Sequence, residues 1–207
     1  MSKPIITEAD FDVFQIPGLE ARMQALIGQV RPKLEELGGL LAPTLTGLCG
    51  HEMIPHVARH ARRTVNPPAD TWVAWANSKR GYKALPHFQL GLWSTHLFIQ
   101  FAVIYESPNK EVFADHLLRQ LDDVKTSIPS GFFWSVDHTQ PEVTPHAELD
   151  EQGLSRIAER LKQVKKAEAL CGLRLDRQDP LLRDGDALLR TAEETFTRLL
   201  SLYRMAF

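Results

Sequence analysis

The stretch WVAWANSKRGYKALPHFQLGLWSTHLFIQFAVIY, Trp72 to Tyr105, decides the fold. Trp72 to Ala76 is a short β-type run. From His87 to Trp93 the chain alternates, with Phe88, Leu90 and Leu92 on one side and His87, Gln89 and Trp93 on the other. That period of two marks a strand with two different faces. Leu97 to Tyr105 follows almost at once, rich in Phe, Ile and Val, and the gap at Ser94–His96 is short enough for a hairpin. Asn77 to Pro86 is a longer polar connection. The region therefore predicts an antiparallel meander.

Helices flank it. Leu19, Met23, Leu26, Ile27, Val30, Leu34 and Leu37 follow three-and-four spacing, with Pro17-Gly18 at the start and Gly38-Gly39 at the end. Pro32 inside that pattern lacks a backbone donor and predicts a kink near Val30–Arg31. Leu40 to Gly50 is apolar and ambiguous. After the meander, Pro108-Asn109 opens a helix bearing Val112, Phe113, Leu117, Leu121 and Val124, closed by Ile128-Pro129-Ser130-Gly131. Phe132 to Val136 reads as a strand and His138 to Pro145 as a loop with a short edge strand. Leu154 to Val164 reads as a helix, and Ala169 to Leu175 as a strand. The last helix carries Leu189, Ala192, Phe196, Leu199 and Tyr203, with Asp186 as its expected cap. No βαβ alternation, fixed-period repeat or linker-like composition is present. The reading is one α+β domain over residues 1–207, an antiparallel-rich sheet covered on one face by helices.

The chain of 207 residues is 43% hydrophobic and 24% charged, ordinary for a globular protein, and its formal net charge of -2 argues against wholesale nucleic-acid binding. Cys49 and Cys171 lie far apart and read as reduced thiols. The N-terminus has acids where a signal peptide needs an apolar core, and no run is apolar enough to span a bilayer. A cytoplasmic protein with no membrane partner is expected.

Among the motifs, HEMIPH (His51 to His56) imitates the zinc-protease H-E-x-x-H, but its histidines are five apart. At about 100° per residue they diverge by about 140° on a helix, and Pro55 disrupts one besides. His56 and His60, joined by His51 or His87, would make a three-nitrogen metal site. With no carboxylate or cysteine at ligand spacing, hydrogen-bonded or surface histidines are the simpler reading, so no metal and no cofactor is expected. Phosphate loops, dinucleotide fingerprints and nucleophile elbows are absent from the sequence. Asp137-His138 is adjacent in sequence, which fixes no geometry.

The stronger signal is charge. Between His51 and Leu90 stand six cations, Arg59, Arg62, Arg63, Lys79, Arg80 and Lys83, against two acids, Glu52 and Asp70. Arginine's planar fork suits phosphate and carboxylate, and Ser78-Lys79-Arg80-Gly81 is a small loop whose N–H groups can approach an anion. If Asn77–Pro86 folds back beside Arg62-Arg63, the cations converge. The candidate ligand-binding set is Arg62, Arg63, Asn77, Lys79, Arg80, Tyr82, Lys83 and His87, with Tyr82 offering a stacking face. The opposing reading is a solvated charged surface, with Arg62 or Arg63 paired to Asp70 or Glu106. Trp72 and Trp75 differ by an odd step and face opposite ways on one strand.

The run HVARHARRTVNPPADTWVAWANSKRGYKALPHFQLGLW (His56 to Trp93), with DFDVFQIPGLEARM before it and DPLLRDGD and FTRLLSLYRM after it, resembles the YktB-like family of Bacillus and its relatives. This is uncharacterised protein family 0637, a domain of unknown function. The resemblance covers essentially the whole chain. It implies a cytoplasmic α+β domain of about this length in a Gram-positive bacterium. It also implies a TBP-like architecture, a curved antiparallel sheet gripped by helices. It brings no activity, cofactor or catalytic residue, and fold kinship alone assigns no function. Three functions stay open on the residues. The first is a binding module for an anionic ligand, either a phosphorylated small molecule or a nucleic acid. The second is a hydrolase of phosphorylated or acyl substrates using His60 or His87 as general base. The third is an interaction module for an acidic protein partner.

Overall fold

The computed structural model describes residues 3–207. A short helix α1 (Glu8–Asp12) leads through a 3-10 turn into α2 (Leu19–Ala25). The kink expected from Pro32 takes the form of one π-helical turn, Leu26–Val30, from which the chain passes still helical into α3 (Arg31–Cys49). Pro32 directly follows the π turn, a local widening of the hydrogen-bond ladder at which a continuous helix can accommodate a residue that lacks an N–H. The helix does not stop at Gly38-Gly39. It runs on through Pro43 and ends at Gly50, whose φ of 76° is the left-handed conformation that glycine adopts freely. Gly38 serves packing instead: a Cβ there would stand 3.1 Å from Pro55 and 3.2 Å from Val73.

The strands follow as β1 (Ile54–Val57), β2 (Asp70–Ala76), β3 (His87–Trp93) and β4 (His96–Val103). After them come α4 (Lys110–Arg119), α5 (Leu121–Ser127), β5 (Phe133–Ser135) and β6 (Thr144–Pro145). The chain closes with α6 (Glu151–Gln163), β7 (Ala169–Asp176) and α7 (Gly185–Arg204). The single helix expected after Pro108 is thus two, divided at Gln120, whose φ of -130° leaves the helical region. Asp184, not Asp186, caps α7: its carboxylate accepts from the N–H groups of Asp186 and Ala187.

All seven strands form one antiparallel sheet in the order β1-β2-β3-β4-β7-β5-β6. β1 was not expected from the sequence, where Pro55 counted only against a helix through His51–His56. As the edge strand, β1 can hold a proline that a central strand could not.

Register sorts the side chains into two faces. Val73 and Trp75, Phe88 and Leu90, Ile99 and Phe101, and Cys171 and Trp134 share the face that meets the helices, in one continuous apolar core. Phe196 of α7 packs edge-on against Trp75 and Phe88, Tyr203 stacks on Phe88 at 5.1 Å, and Phe113 of α4 meets Phe101. Trp75 Nε1 donates to the carbonyl of Gly38 at 2.9 Å, so the indole is both packed and satisfied. The architecture is α+β, with helices on one face of an open sheet.

Candidate functional site

The other face of the same strands carries Asp70, Trp72, His87, Gln89, His96, Gln100 and Arg174. No helix covers it. The connections Asn77–Pro86 and Val136–Val143 lie over it instead, and they leave two cavities.

The first is an open groove of about 1410 Å³ beside the β2–β3 connection. Asn77, Lys79, Arg80, Tyr82 and Lys83 line it, together with Arg31, His56, Arg59, Glu35 and Glu106. Five of the eight residues expected to bind ligand therefore meet here. Arg31 joins them from α3, a contribution that no local charge count could reveal. Lys83 stands 3.6 Å from Glu106. Among the described residues, Arg31, Arg59, Lys79 and Arg80 have no carboxylate within ion-pair distance. Gly81, at a φ of 144°, makes the turn that presents Lys79 and Arg80. Tyr82 is anchored because its hydroxyl accepts from Trp72 Nε1 at 3.0 Å, and burial raises its pKa to about 12.

The remaining expected site residues lie elsewhere. Arg62 and Arg63 are exposed on the turn after β1 and do not line the groove. Neither takes part in an ion pair with Asp70 or Glu106; Arg63 reaches only the carbonyl of Asn66. His60 has the one positive φ of a non-glycine residue among those described, 52°. Its ring packs edge-on against Trp72 and bonds Thr71 Oγ1, and burial, then Arg63 and Arg31, lowers its pKa to about 4.

His87 is fully buried. Its Nδ1 lies 2.7 Å from the carbonyl of Leu85, and Gln89 Nε2 lies 2.9 Å from its Nε2. Because the amide nitrogen can only donate, Nε2 accepts and the Nδ1–H donates to Leu85. Gln100 Nε2 in turn donates to Gln89 Oε1, completing a relay. Burial lowers the pKa of His87 to about 4, so the ring is neutral and both nitrogens are occupied. That arrangement suits a structural histidine better than a general base. The metal set considered for His51, His56, His60 and His87 does not assemble either. His51 bonds the Tyr203 hydroxyl and His56 the carbonyl of Ser78, so each ring is held by its own partner.

The second cavity had no signal in the sequence pattern beyond polar residues alternating on β3 and β4. It lies on the sheet between Asp70, Gln89, His96, Gln100 and Arg174, with Ser135, His138 and Val143 from the β5–β6 region. Trp72, Trp93, Phe98 and Phe133 complete its wall. Burial raises the pKa of Asp70 to about 6, partly offset by His138 and Arg63. Beside it, His138 Nδ1 lies 2.8 Å from a carboxylate oxygen of buried Glu168, and Glu168 also accepts from the His138 N–H. Burial pulls the His138 pKa down, but Glu168 outweighs it and the net shift is upward. Asp137, His138 and Glu168 form the one cluster of three metal-type ligands among the described residues. Their carboxylates are already engaged, Glu168 by His138 and Asp137 by Thr139.

The protein is thus a helix-backed antiparallel sheet with a polar second face roofed by loops, beside a basic groove. The chain belongs to the family described as Domain of unknown function (DUF1054), whose profile it matches over residues 6–203. It is 52% identical to a UPF0637 protein of Bacillus velezensis over 99% of this chain and 98% of that one. A UPF0637 protein of Bacillus licheniformis is 53% identical over 99% of this chain and 97% of its own. For a relative in Bacillus cytotoxicus the figures are 48%, 99% and 99%. None of these names carries an activity. No helix among the described residues is long and apolar enough to cross a membrane.

Proposed function

We propose that the protein binds an anionic, phosphorylated ligand in the basic groove. The observation that supports this reading is the meeting of Arg31, Arg59, Lys79, Arg80 and Lys83 around one concavity, where only Lys83 is near a carboxylate partner among the described residues. Cations held together by a fold repel one another, and a multivalent anion relieves that repulsion while accepting charge-assisted hydrogen bonds. Asn77 adds a neutral donor, and the ring of Tyr82 forms part of the wall.

The test is the thermal unfolding midpoint with pyrophosphate, nucleotides, sugar phosphates and short RNA or DNA, in low and high salt. Stabilisation by at least one of them is expected at low salt, lost in a Lys79→Ala/Arg80→Ala double variant and kept in Arg62→Ala. A steep fall of log affinity with log salt would identify a nucleic acid, and a shallow one a small phosphorylated molecule. No shift from any probe sinks the reading and turns attention to an acidic protein partner.

A further inference from the structure

Granted the reading that the basic groove binds a phosphorylated anion, its shape and surroundings narrow the class of ligand. At about 1410 Å³ and open to solvent, it exceeds the range of roughly 300–1,000 Å³ in which compact pockets enclose small molecules. Its cations come from three places: Arg31 on α3, Arg59 after β1, and Lys79, Arg80 and Lys83 on the β2–β3 connection. Against Glu35 and Glu106 they leave a formal excess of three, five minus two. Charges spread along an open concavity suit an extended polyanion better than one compact phosphate group.

The positive surface does not end at the groove. Glu106 lies in its wall, and the residue before it, Tyr105, lines a second hollow of about 420 Å³ with Lys110, Lys162 and Lys165 against Glu111. In that hollow Lys162 is paired with Asp115 and Lys110 caps the end of α6, while exposed Lys165 has no carboxylate within ion-pair distance among the described residues. Tyr105 and Glu106 therefore stand at the boundary between two basic concavities. Tyr105 is 42% exposed; Glu106 chiefly raises the pKa of its hydroxyl, and Arg62, also within electrostatic reach, opposes that shift. Among the described residues no other aromatic ring packs against it. Tyr82, by contrast, is held: its hydroxyl accepts from Trp72, its ring meets His87 edge-on at 4.9 Å, and His56 lies at 6.0 Å. The free stacking surface thus belongs to Tyr105 rather than to Tyr82.

A single nucleic-acid strand requires both kinds of group. Cations follow its phosphates, and an exposed aromatic ring stacks on a base whatever its identity. A duplex is read differently, by a helix or ribbon that protrudes into its groove, and here the cations line a hollow instead. Inorganic polyphosphate would use the cations and leave Tyr105 idle. We propose that the groove and the adjoining hollow bind a single-stranded nucleic acid, with its phosphates along Arg59, Lys79, Arg80 and Lys165 and one base stacked on Tyr105. Recognition is independent of base sequence, because phosphate contacts and stacking carry no base code.

The experiment uses the full chain and fluorescein-labelled oligothymidylates of about 4 and about 12 nucleotides, read by fluorescence anisotropy beside a duplex of the longer length. Pyrophosphate and tripolyphosphate binding is measured separately by isothermal titration. The longer strand is expected to bind roughly tenfold more tightly than the shorter, because it reaches more cations, and more tightly than the duplex or either inorganic anion. Tyr105→Ala should weaken the longer strand by roughly tenfold and leave pyrophosphate binding unchanged, whereas Tyr105→Phe, which keeps the ring, should bind like the unaltered chain. An unchanged unfolding midpoint verifies the fold of both variants. Lys165→Ala should weaken the longer strand alone, and it carries the test if Tyr105→Ala fails to fold. No dependence on length, tighter binding of the duplex, or unchanged affinity in Tyr105→Ala would each overturn the proposal. If pyrophosphate binds, is lost in Lys79→Ala/Arg80→Ala, and no strand binds more tightly, the groove still holds a phosphorylated anion and only the strand assignment falls. If nothing binds, both fall.

Discussion

Along β3 the two faces of the central sheet are both buried and physically opposite. Phe88 and His87 are neighbours on β3, and neither has any exposed surface. On the helix side, Phe88 stacks on Tyr203 and meets Phe101 and Phe196 through undirected apolar contact. On the loop side, His87 is held by a chain of oriented bonds running from Gln100 through Gln89 to the carbonyl of Leu85. The first face derives its stability from area removed from water. The second is tolerated because its polar groups are paired, with only His96 Nε2 and Arg174 Nε left without a partner among the described residues. Burial alone does not tell a core from a site; the bonding of what is buried does.

Breaking the helix side should give the largest effect. Phe88→Ala removes a ring enclosed by three others, and such deletions cost about 3–5 kcal/mol when the surroundings cannot collapse. Urea unfolding should show that loss with little change in the denaturant slope. A loss under about 1 kcal/mol would mean that the helices repack, and that this face is less tightly built than its contacts indicate.

Acid should break the loop side selectively. His87 and His96 have pKa values of about 4 in the folded chain against an ordinary 6.5, chiefly from burial. Between these limits the unfolded chain binds more protons than the folded one, so stability rises as pH rises from 4 to 6.5. Fully buried His87 alone contributes on the order of 3 kcal/mol to this rise. Asp70 works in the opposite sense: its folded value of about 6 lies above the ordinary 3.8, so it lowers stability as pH rises across that window. The unfolding midpoint should therefore climb from pH 4 to 6.5, less steeply in His87→Gln and more steeply in Asp70→Asn. A flat profile would show that His87 and His96 are accessible to protons in the folded state.

The same contrast explains what the sequence could reveal. Alternation at Phe88, Leu90 and Leu92 was readable because hydrophobic period is a local property. The final helix was readable for the same reason through Leu189, Phe196 and Tyr203. The edge strand β1 was not readable, since edge position depends on partners far along the chain. Gly38-Gly39 resembled a helix end because the need for a small residue there comes from Pro55 and Val73, which face it from the sheet. In the groove, Lys79, Arg80, Tyr82 and Lys83 were legible as one loop, but Arg31 was not, being brought in by α3. Charge density near Arg62 and Arg63 was real, yet the turn after β1 directs them away from the groove. Asp70, His96, Gln100 and Arg174 come from three strands that pair at long range, so only the register shows them to share a cavity.

The smallest stability effect sharpens the comparison at the groove. Lys83 and Glu106 stand 3.6 Å apart with their side chains 39% and 34% exposed. A pair so open to solvent contributes about 0–1 kcal/mol, so Lys83→Ala and Glu106→Gln should each leave the unfolding midpoint nearly unchanged. Their effects on pyrophosphate binding should differ in sign. Glu106→Gln removes a competing carboxylate from the groove wall and should tighten binding, most visibly at low salt. Lys83→Ala removes a cation and should weaken it. Isothermal titration of both variants at two salt concentrations measures this directly. A merely solvated charged surface responds to neither substitution, whereas an anion site responds in opposite directions while the fold remains unchanged.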